Sequence, residues 1–148
     1  MNKVKKKTGY FKSFDGTKLY YEVRGEGPPI IMTYGIGCLI NHWRFQTQFF
    51  SKNYSTVVFD FRAHHKSEIP ADRENIGLTS LAKDIQALMN ELQYTKASFW
   101  GHSFGVQVLV KTYELFPELF ENFVFINGFA NDPITSMFGN GVATKIFE

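Results

Sequence analysis

Polar and apolar residues alternate near the start of the chain, then give way to short unbroken apolar runs. From Lys18 to Arg24, Leu19, Tyr21 and Val23 alternate with Lys18, Tyr20, Glu22 and Arg24. That period of two predicts a half-buried antiparallel strand. Residues 9–14 predict a shorter strand before it. Asp15-Gly16 between them predicts a type I′ hairpin turn, in which both central residues need positive φ. Gly25-Glu26-Gly27-Pro28-Pro29 ends the hairpin. Beyond it lie four runs: Ile30-Ile31-Met32, Thr56-Val57-Val58-Phe59, Ala97-Ser98-Phe99-Trp100 and Phe123-Val124-Phe125-Ile126. Strands covered on both faces have this composition.

Helical spacing fills the gaps. Residues 41–51 predict a helix with Asn41 as N-cap and Trp43, Phe49 and Phe50 as anchors. Leu78, Leu81, Ala82, Ile85, Leu88, Met89 and Leu92 fall on one stripe, the clearest helix in the chain. Val106, Leu109, Val110, Tyr113 and Phe116 mark another, stopped by Pro117. Residues 62–76 read as a polar loop, and 129–148 carry no firm pattern. Alternating strands and helices behind a hairpin predict an α/β fold: a mostly parallel sheet with helices on both faces.

A chain of 148 residues suffices for one domain with a hydrophobic core. Its 16 phenylalanines imply a large apolar interior or an apolar surface awaiting a partner. A net charge of +2 gives no footing for nucleic acid, and most of the excess sits in Lys3, Lys5, Lys6 and Lys7, read as a solvated terminus. Cys38 is the single cysteine, so no internal disulfide can form and a reducing, cytoplasmic setting is expected. The basic start lacks the apolar stretch of a secretory signal, and no apolar run reaches membrane-spanning length. No His or Cys cluster has metal-ligand spacing. Gly35-Ile36-Gly37 lacks the third glycine and the acidic residue of a dinucleotide site. No cofactor is expected.

The candidate chemistry lies in Gly101-His102-Ser103-Phe104-Gly105. This G-x-S-x-G falls between a buried strand and an amphipathic helix, the setting of a nucleophile elbow. Such a corner lifts the serine hydroxyl above the sheet at a helix N-terminus, where developing negative charge is favoured. Glycines at 101 and 105 would remove side chains that collide with the neighbouring helix and strand. The plain alternative is a glycine-rich strand–helix turn.

Taken together, these motifs resemble the α/β-hydrolase superfamily along nearly the whole chain. Asp15-Gly16 through Pro29 resembles the family's leading hairpin. Tyr34-Gly35-Ile36-Gly37 resembles its His-Gly-x-Gly oxyanion loop, and Asp60-Phe61-Arg62-Ala63-His64 its Asp-x-Arg-Gly-His segment. Leu115-Phe116-Pro117-Glu118 and Phe125-Ile126-Asn127 resemble the helix end and strand that follow the elbow. The resemblance implies that Ser103 attacks an acyl carbonyl, while the backbone N–H groups of Ile36 and Phe104 stabilise the oxyanion. Tyr34, Gly35, Gly37, His42, His102 and Phe129 would line the pocket of a small acyl substrate. Tyr34 stands where the family has histidine, and Ala63 and His65 where it has glycines.

A serine needs a base, and the family's order is serine, acid, histidine. No histidine follows Ser103; His42, His64, His65 and His102 all precede or adjoin it. His102 reads as a packed strand residue, His42 as a pocket or helix-start residue, and His64 and His65 as loop residues. Asp132 is a candidate acid. Asp60 is expected to bond the loop containing Arg62. The chain is therefore read as an incomplete α/β-hydrolase domain over residues 1–148, with a lid or cap segment starting at about 129 and its catalytic acid and histidine lacking. The Phe123–Ile126 strand would present an exposed apolar edge prone to self-association. Three functions remain open: a serine hydrolase cleaving an ester or related acyl bond, a non-catalytic ligand-binding or receptor-like protein, and a C–C hydrolase or acyltransferase.

Overall fold

The computed structural model describes residues 4–129. Six strands form one sheet: β1 (Lys6–Lys12), β2 (Lys18–Arg24), β3 (Pro29–Thr33), β4 (Ser55–Phe59), β5 (Ala97–His102) and β6 (Phe120–Ile126). Their order across the sheet is β1-β2-β4-β3-β5-β6. β1/β2 and β2/β4 are antiparallel, whereas β3/β4, β3/β5 and β5/β6 are parallel. The expected hairpin followed by a parallel sheet is thus present. Three helices, α1 (Arg44–Phe50), α2 (Leu78–Glu91) and α3 (Phe104–Leu115), connect the parallel strands.

Helices lie on both faces. Trp100 meets Phe50 of α1, ring centroids 4.7 Å apart, while its neighbour Phe99 packs on Phe120, which Tyr113 of α3 also touches. Successive residues of a strand project to opposite sides, so α1 and α3 flank the sheet. Ile31, Met32, Val57, Phe59, Phe99, Ile85, Leu88 and Leu109 are fully enclosed between the layers, as their unbroken apolar runs require.

Several local expectations are corrected. The hairpin turn is not type I′: Gly16 has φ +82°, but Asp15 is not among the residues of positive φ. Gly16 N–H donates to Ser13 O and Ser13 N–H to Thr17 O, the wider loop that places one glycine in the left-handed region. Asp15 uses its carboxylate to accept from Thr17 N–H and from Arg62. β1 begins at Lys6 and ends at Lys12, earlier than the apolar pattern indicated. β2 is buried on both faces rather than one. Tyr10 packs edge-on against Tyr20, Lys66 lies over the Tyr20 ring, and Glu22 accepts from the Tyr20 hydroxyl. Asn41 caps nothing. It sits within a single 3-10 turn, Ile40–Trp43, and α1 starts behind the buried Trp43 with no side-chain cap. Burial of the indole sets that boundary. The 62–76 segment, read as loop, ends in a 3-10 turn at Arg73–Ile76, capped by Asp72.

The loop after β4 is anchored by a buried ion network. The Arg62 side chain is fully buried and grips Asp84 of α2 through both Nε and Nη2, Asp15 of the hairpin through Nη1, and the Asn75 carbonyl. Ser13 Oγ donates to Asp84. Hairpin, loop and α2 are thereby locked together.

Beyond α3 the outer strand β6 is longer than the Phe123–Ile126 run and has no strand on its other side among the described residues. Phe123, Val124, Phe125 and Ile126 are 36–49% exposed. The phenylalanines thus divide: Phe11, Phe59, Phe61, Phe99 and Phe120 are interior, while Phe14, Phe45, Phe49, Phe123, Phe125 and Phe129 face outward. Asp132 and the suggested lid at about 129–148 lie outside the described residues, Phe129 excepted.

Candidate active site

Parallel register alone brings the critical residues together. β3 pairs with β5 so that Thr33 faces Gly101; one and two residues further on, Tyr34 comes beside His102 and Gly35 beside Ser103. β3 pairs with β4 so that Met32 faces Val58, which brings Tyr34 beside Asp60. The strand order reverses at β3, which has β4 on one side and β5 on the other. Ligands of open α/β sheets bind at the carboxyl ends of strands at such a reversal.

Ser103 occupies the corner between β5 and α3 with φ +53° and ψ −123°, a backbone region that side chains rarely enter. The corner is held by Ser103 N–H donating to Ile126 O and by Val106 N–H donating to Ser103 O. Two glycines make it sterically feasible. A Cβ on Gly105 would stand 2.6 Å from the Thr33 carbonyl carbon, and one on Gly101 would stand 3.0 Å from Val106 Cα. β3 and α3 thus approach as closely as the sequence reading of these glycines demanded.

The serine faces the Tyr34–Gly37 segment. A Cβ on Gly35 would lie 3.2 Å from Ser103 Cβ and 3.4 Å from its Oγ. Phe104 opens α3, so its N–H belongs to the first turn, whose amides have no intrahelical acceptor. The next amide after Gly35 is that of Ile36, whose side chain is 74% exposed. Gly37 turns the chain with φ +74°, and Cys38 N–H donates to Gly35 O.

The pocket residues named from sequence are distributed unevenly. His102, the last residue of β5, is half-buried; its Nδ1 is enclosed without a partner and lies 3.7 Å from a Cβ built on Gly35. His42, in the 3-10 turn, stacks on it with centroids 4.5 Å apart. His42 is thus at the elbow's margin as well as exposed. Burial, then repulsion from His102, holds the His42 imidazole below its ordinary value. Gly128 passes against Val106 at the start of α3, and the next residue, Phe129, is exposed. Tyr34 is fully enclosed. It packs on Phe61 and does not open to solvent, so it supports the site from beneath. Its phenol, pushed well above the usual range by burial, stays protonated. Its hydroxyl accepts from Phe61 N–H at 3.0 Å and lies 3.5 Å from Asp60 Oδ1.

The loop with Ala63 and His65 keeps the backbone that glycines would give, with φ +60° and +44°. Asp60 bonds this loop as expected, its Oδ2 accepting from Lys66 N–H and its carbonyl from Ser67 Oγ. Two features escaped the sequence reading: the His42–His102 stack and the Tyr34–Asp60 contact. The second was accessible, because the parallel offset of β3 and β4 runs directly on to that pair. Among the described residues, no group of three or more His, Cys, Asp or Glu side chains could hold a metal ion.

A family profile described as alpha/beta hydrolase fold matches residues 28–143. The chain belongs to this family. Epoxide hydrolase 4 of Mus musculus is 29% identical over 114 residues, 76% of this chain and 32% of that protein. The solved structure of a mutant epoxide hydrolase from Bacillus megaterium, complexed with its product, is 26% identical with a TM-score of 0.76, covering 81% of this chain and 42% of its own. An esterase from Exiguobacterium antarcticum is 25% identical with a TM-score of 0.75, covering 80% of this chain and 44% of its own. The chain spans about a third of the length of the curated relatives it matches. No described helix is long and apolar enough to cross a membrane.

Proposed function

We propose that the protein acts as a serine hydrolase on an ester or related acyl bond, with Ser103 as nucleophile. The observation that carries this reading is the corner itself: a serine at φ +53° against the glycine that precedes Ile36. In the proposed step, Oγ attacks the acyl carbon, its proton passes to a base, and the carbonyl oxygen takes up the electron pair between the N–H groups of Ile36 and Phe104. Collapse expels the alcohol, which takes the proton, and water then releases the acyl group.

The named relatives include epoxide hydrolases and an esterase. A hydroxyl that opens an epoxide forms an alkyl ether, which water does not cleave, so the enzyme would stop after one turnover. A hydroxyl that attacks an acyl carbon forms an ester, which water reopens. Serine at this corner therefore favours acyl substrates. Exposed Ile36, Leu39 and Phe129 suit an apolar acyl or leaving group.

No histidine follows Ser103 within these 148 residues, and Asp132 is retained as a candidate acid. A cytoplasmic setting rests on the single Cys38. Self-association through Phe123–Ile126 is supported by their exposure. The decisive experiment is fluorophosphonate labelling of the full-length protein, beside Ser103→Ala. Labelling of wild type alone, with p-nitrophenyl acetate turnover, is expected. Ligand binding without labelling would sink the hydrolase reading and favour the receptor-like one.

A further inference from the structure

The segment Gly35–Leu39, which carries the Ile36 amide, belongs to no strand and precedes the first helical turn. Its internal order is slight: the Cys38 N–H bond to Gly35 O and the left-handed Gly37. What fixes it is therefore to be sought at its ends. At the first stands Tyr34, and beside it lies the carboxylate of Asp60, at the carboxyl end of β4 and 0% exposed.

That carboxylate meets donors on two sides. The Tyr34 hydroxyl lies 3.5 Å from Oδ1, and Lys66 N–H donates to Oδ2 at 3.4 Å. The Tyr34 oxygen is itself held by Phe61 N–H at 3.0 Å, and the ring is clamped against Phe61 at a centroid distance of 4.5 Å. A buried carboxylate is costly unless its oxygens are met by donors. One donor stands at the root of the Gly35–Leu39 loop, so the same cost that would expel the carboxylate keeps Tyr34 drawn onto it. Burial raises the Asp60 carboxyl above its ordinary value, and the Lys66 N–H opposes that rise.

We propose that Asp60 is a positioning residue: by holding Tyr34 at the root of the Gly35–Leu39 loop, it sets the direction in which the Ile36 N–H points at the corner above Ser103. This deepens the hydrolase reading and rests on it for the meaning of the Ile36 amide. Tyr34, in place of the histidine found in the resembling loop, suits the role. Its longer reach spans β3 to β4, and as a protonated phenol it donates at any working pH.

The test is amide hydrogen exchange on the whole protein, comparing wild type, Asp60→Asn and Tyr34→Phe. Exchange at residues 35–40 should speed up by about tenfold or more in Asp60→Asn, as the loss of a charge-assisted hold implies, while Ile31 and Phe99 in the core strands remain as protected as before. Tyr34→Phe should show the same local effect, and it decides the matter if Asp60→Asn does not fold. Unchanged loop exchange in both variants, or equal acceleration at Ile31 and Phe99, overturns the proposal. A second arm separates positioning from mere support. Fluorophosphonate labelling of Ser103 should slow in its covalent step with the reversible affinity of the probe unchanged, and an unaltered covalent rate in a loosened loop also overturns it. Failure of wild type to label sinks the hydrolase reading instead, and the exchange arm still decides whether Asp60 holds the loop.

Discussion

Replacing Ser103 with glycine should make the protein more stable while abolishing the proposed acyl chemistry. Ser103 sits at φ +53° and ψ −123°, where its Cβ crowds the backbone. Such a conformation costs on the order of 1–3 kcal/mol at a residue with a side chain. Glycine removes the crowding but gives back about 0.5–1 kcal/mol through the greater freedom of the unfolded chain. The net gain is then up to roughly 2.5 kcal/mol. For a domain of this size that corresponds to a melting temperature higher by up to about 10 °C. Ser103→Ala is the control, because it also deletes Oγ yet keeps Cβ and hence the strain. It should melt close to wild type, within about 0.5 kcal/mol. Calorimetric unfolding of the three proteins gives the comparison, and neither variant should react with a fluorophosphonate. If Ser103→Gly proves no more stable than Ser103→Ala, the corner is unstrained and the argument from its geometry fails.

Asp84→Asn should destabilise strongly, by about 3–5 kcal/mol, because the buried Arg62 guanidinium loses its two-pronged partner and keeps only Asp15 as counter-charge; urea midpoints measure this, and a cost under about 1 kcal/mol would mean that water reaches the network. The lowered His42 value has a definite sign: between its folded value and 6.5 the unfolded chain holds a proton that the folded chain does not, so stability falls on acidification through that window. His42→Gln should therefore lose less stability than wild type between about pH 7.5 and about pH 5.5, as read from denaturant midpoints. Phe125→Lys, at the exposed face of β6, should lower self-association and dye binding to apolar surface; a wild-type chain that sediments as a monomer at high concentration would remove the basis for this.

Much of the fold was legible because burial leaves a composition behind. Ile30–Met32 and Thr56–Phe59 are interior to a sheet covered by α1 on one side and α2 and α3 on the other, and no polar residue alternates with them. The α2 stripe was equally plain, since Leu81, Ile85, Leu88 and Met89 all face the core. Failures came where tertiary contact replaces a local signal. Asn41 has the chemistry of a cap, but the buried Trp43 decides where α1 starts. Tyr20 and Glu22 read as a solvent face, yet Tyr10 and Lys66 cover it. Asp15-Gly16 suggested a two-residue turn, whereas the Asp15 carboxylate is engaged by Arg62, 47 residues away.

The site was legible for a different reason: its geometry is enforced by what side chains cannot be. Gly105 is required because a Cβ there would meet the Thr33 carbonyl at 2.6 Å, a clash with backbone that no rotamer relieves. Gly35 is required because its α-hydrogen face is the floor beside Ser103. Such constraints are written into the sequence as glycines at fixed distances from one serine. Ala63 and His65 depart from that logic, for both adopt positive φ at some cost. They are tolerated because the segment is pinned from both ends, by Ala63 N–H on Glu68 O and by Arg62 in its cage of carboxylates. The same reasoning explains how tyrosine can replace histidine at 34. In the proposed oxyanion loop the donor is main chain, so the side chain beneath it need only reach the next strand and stay protonated, and Tyr34 does both.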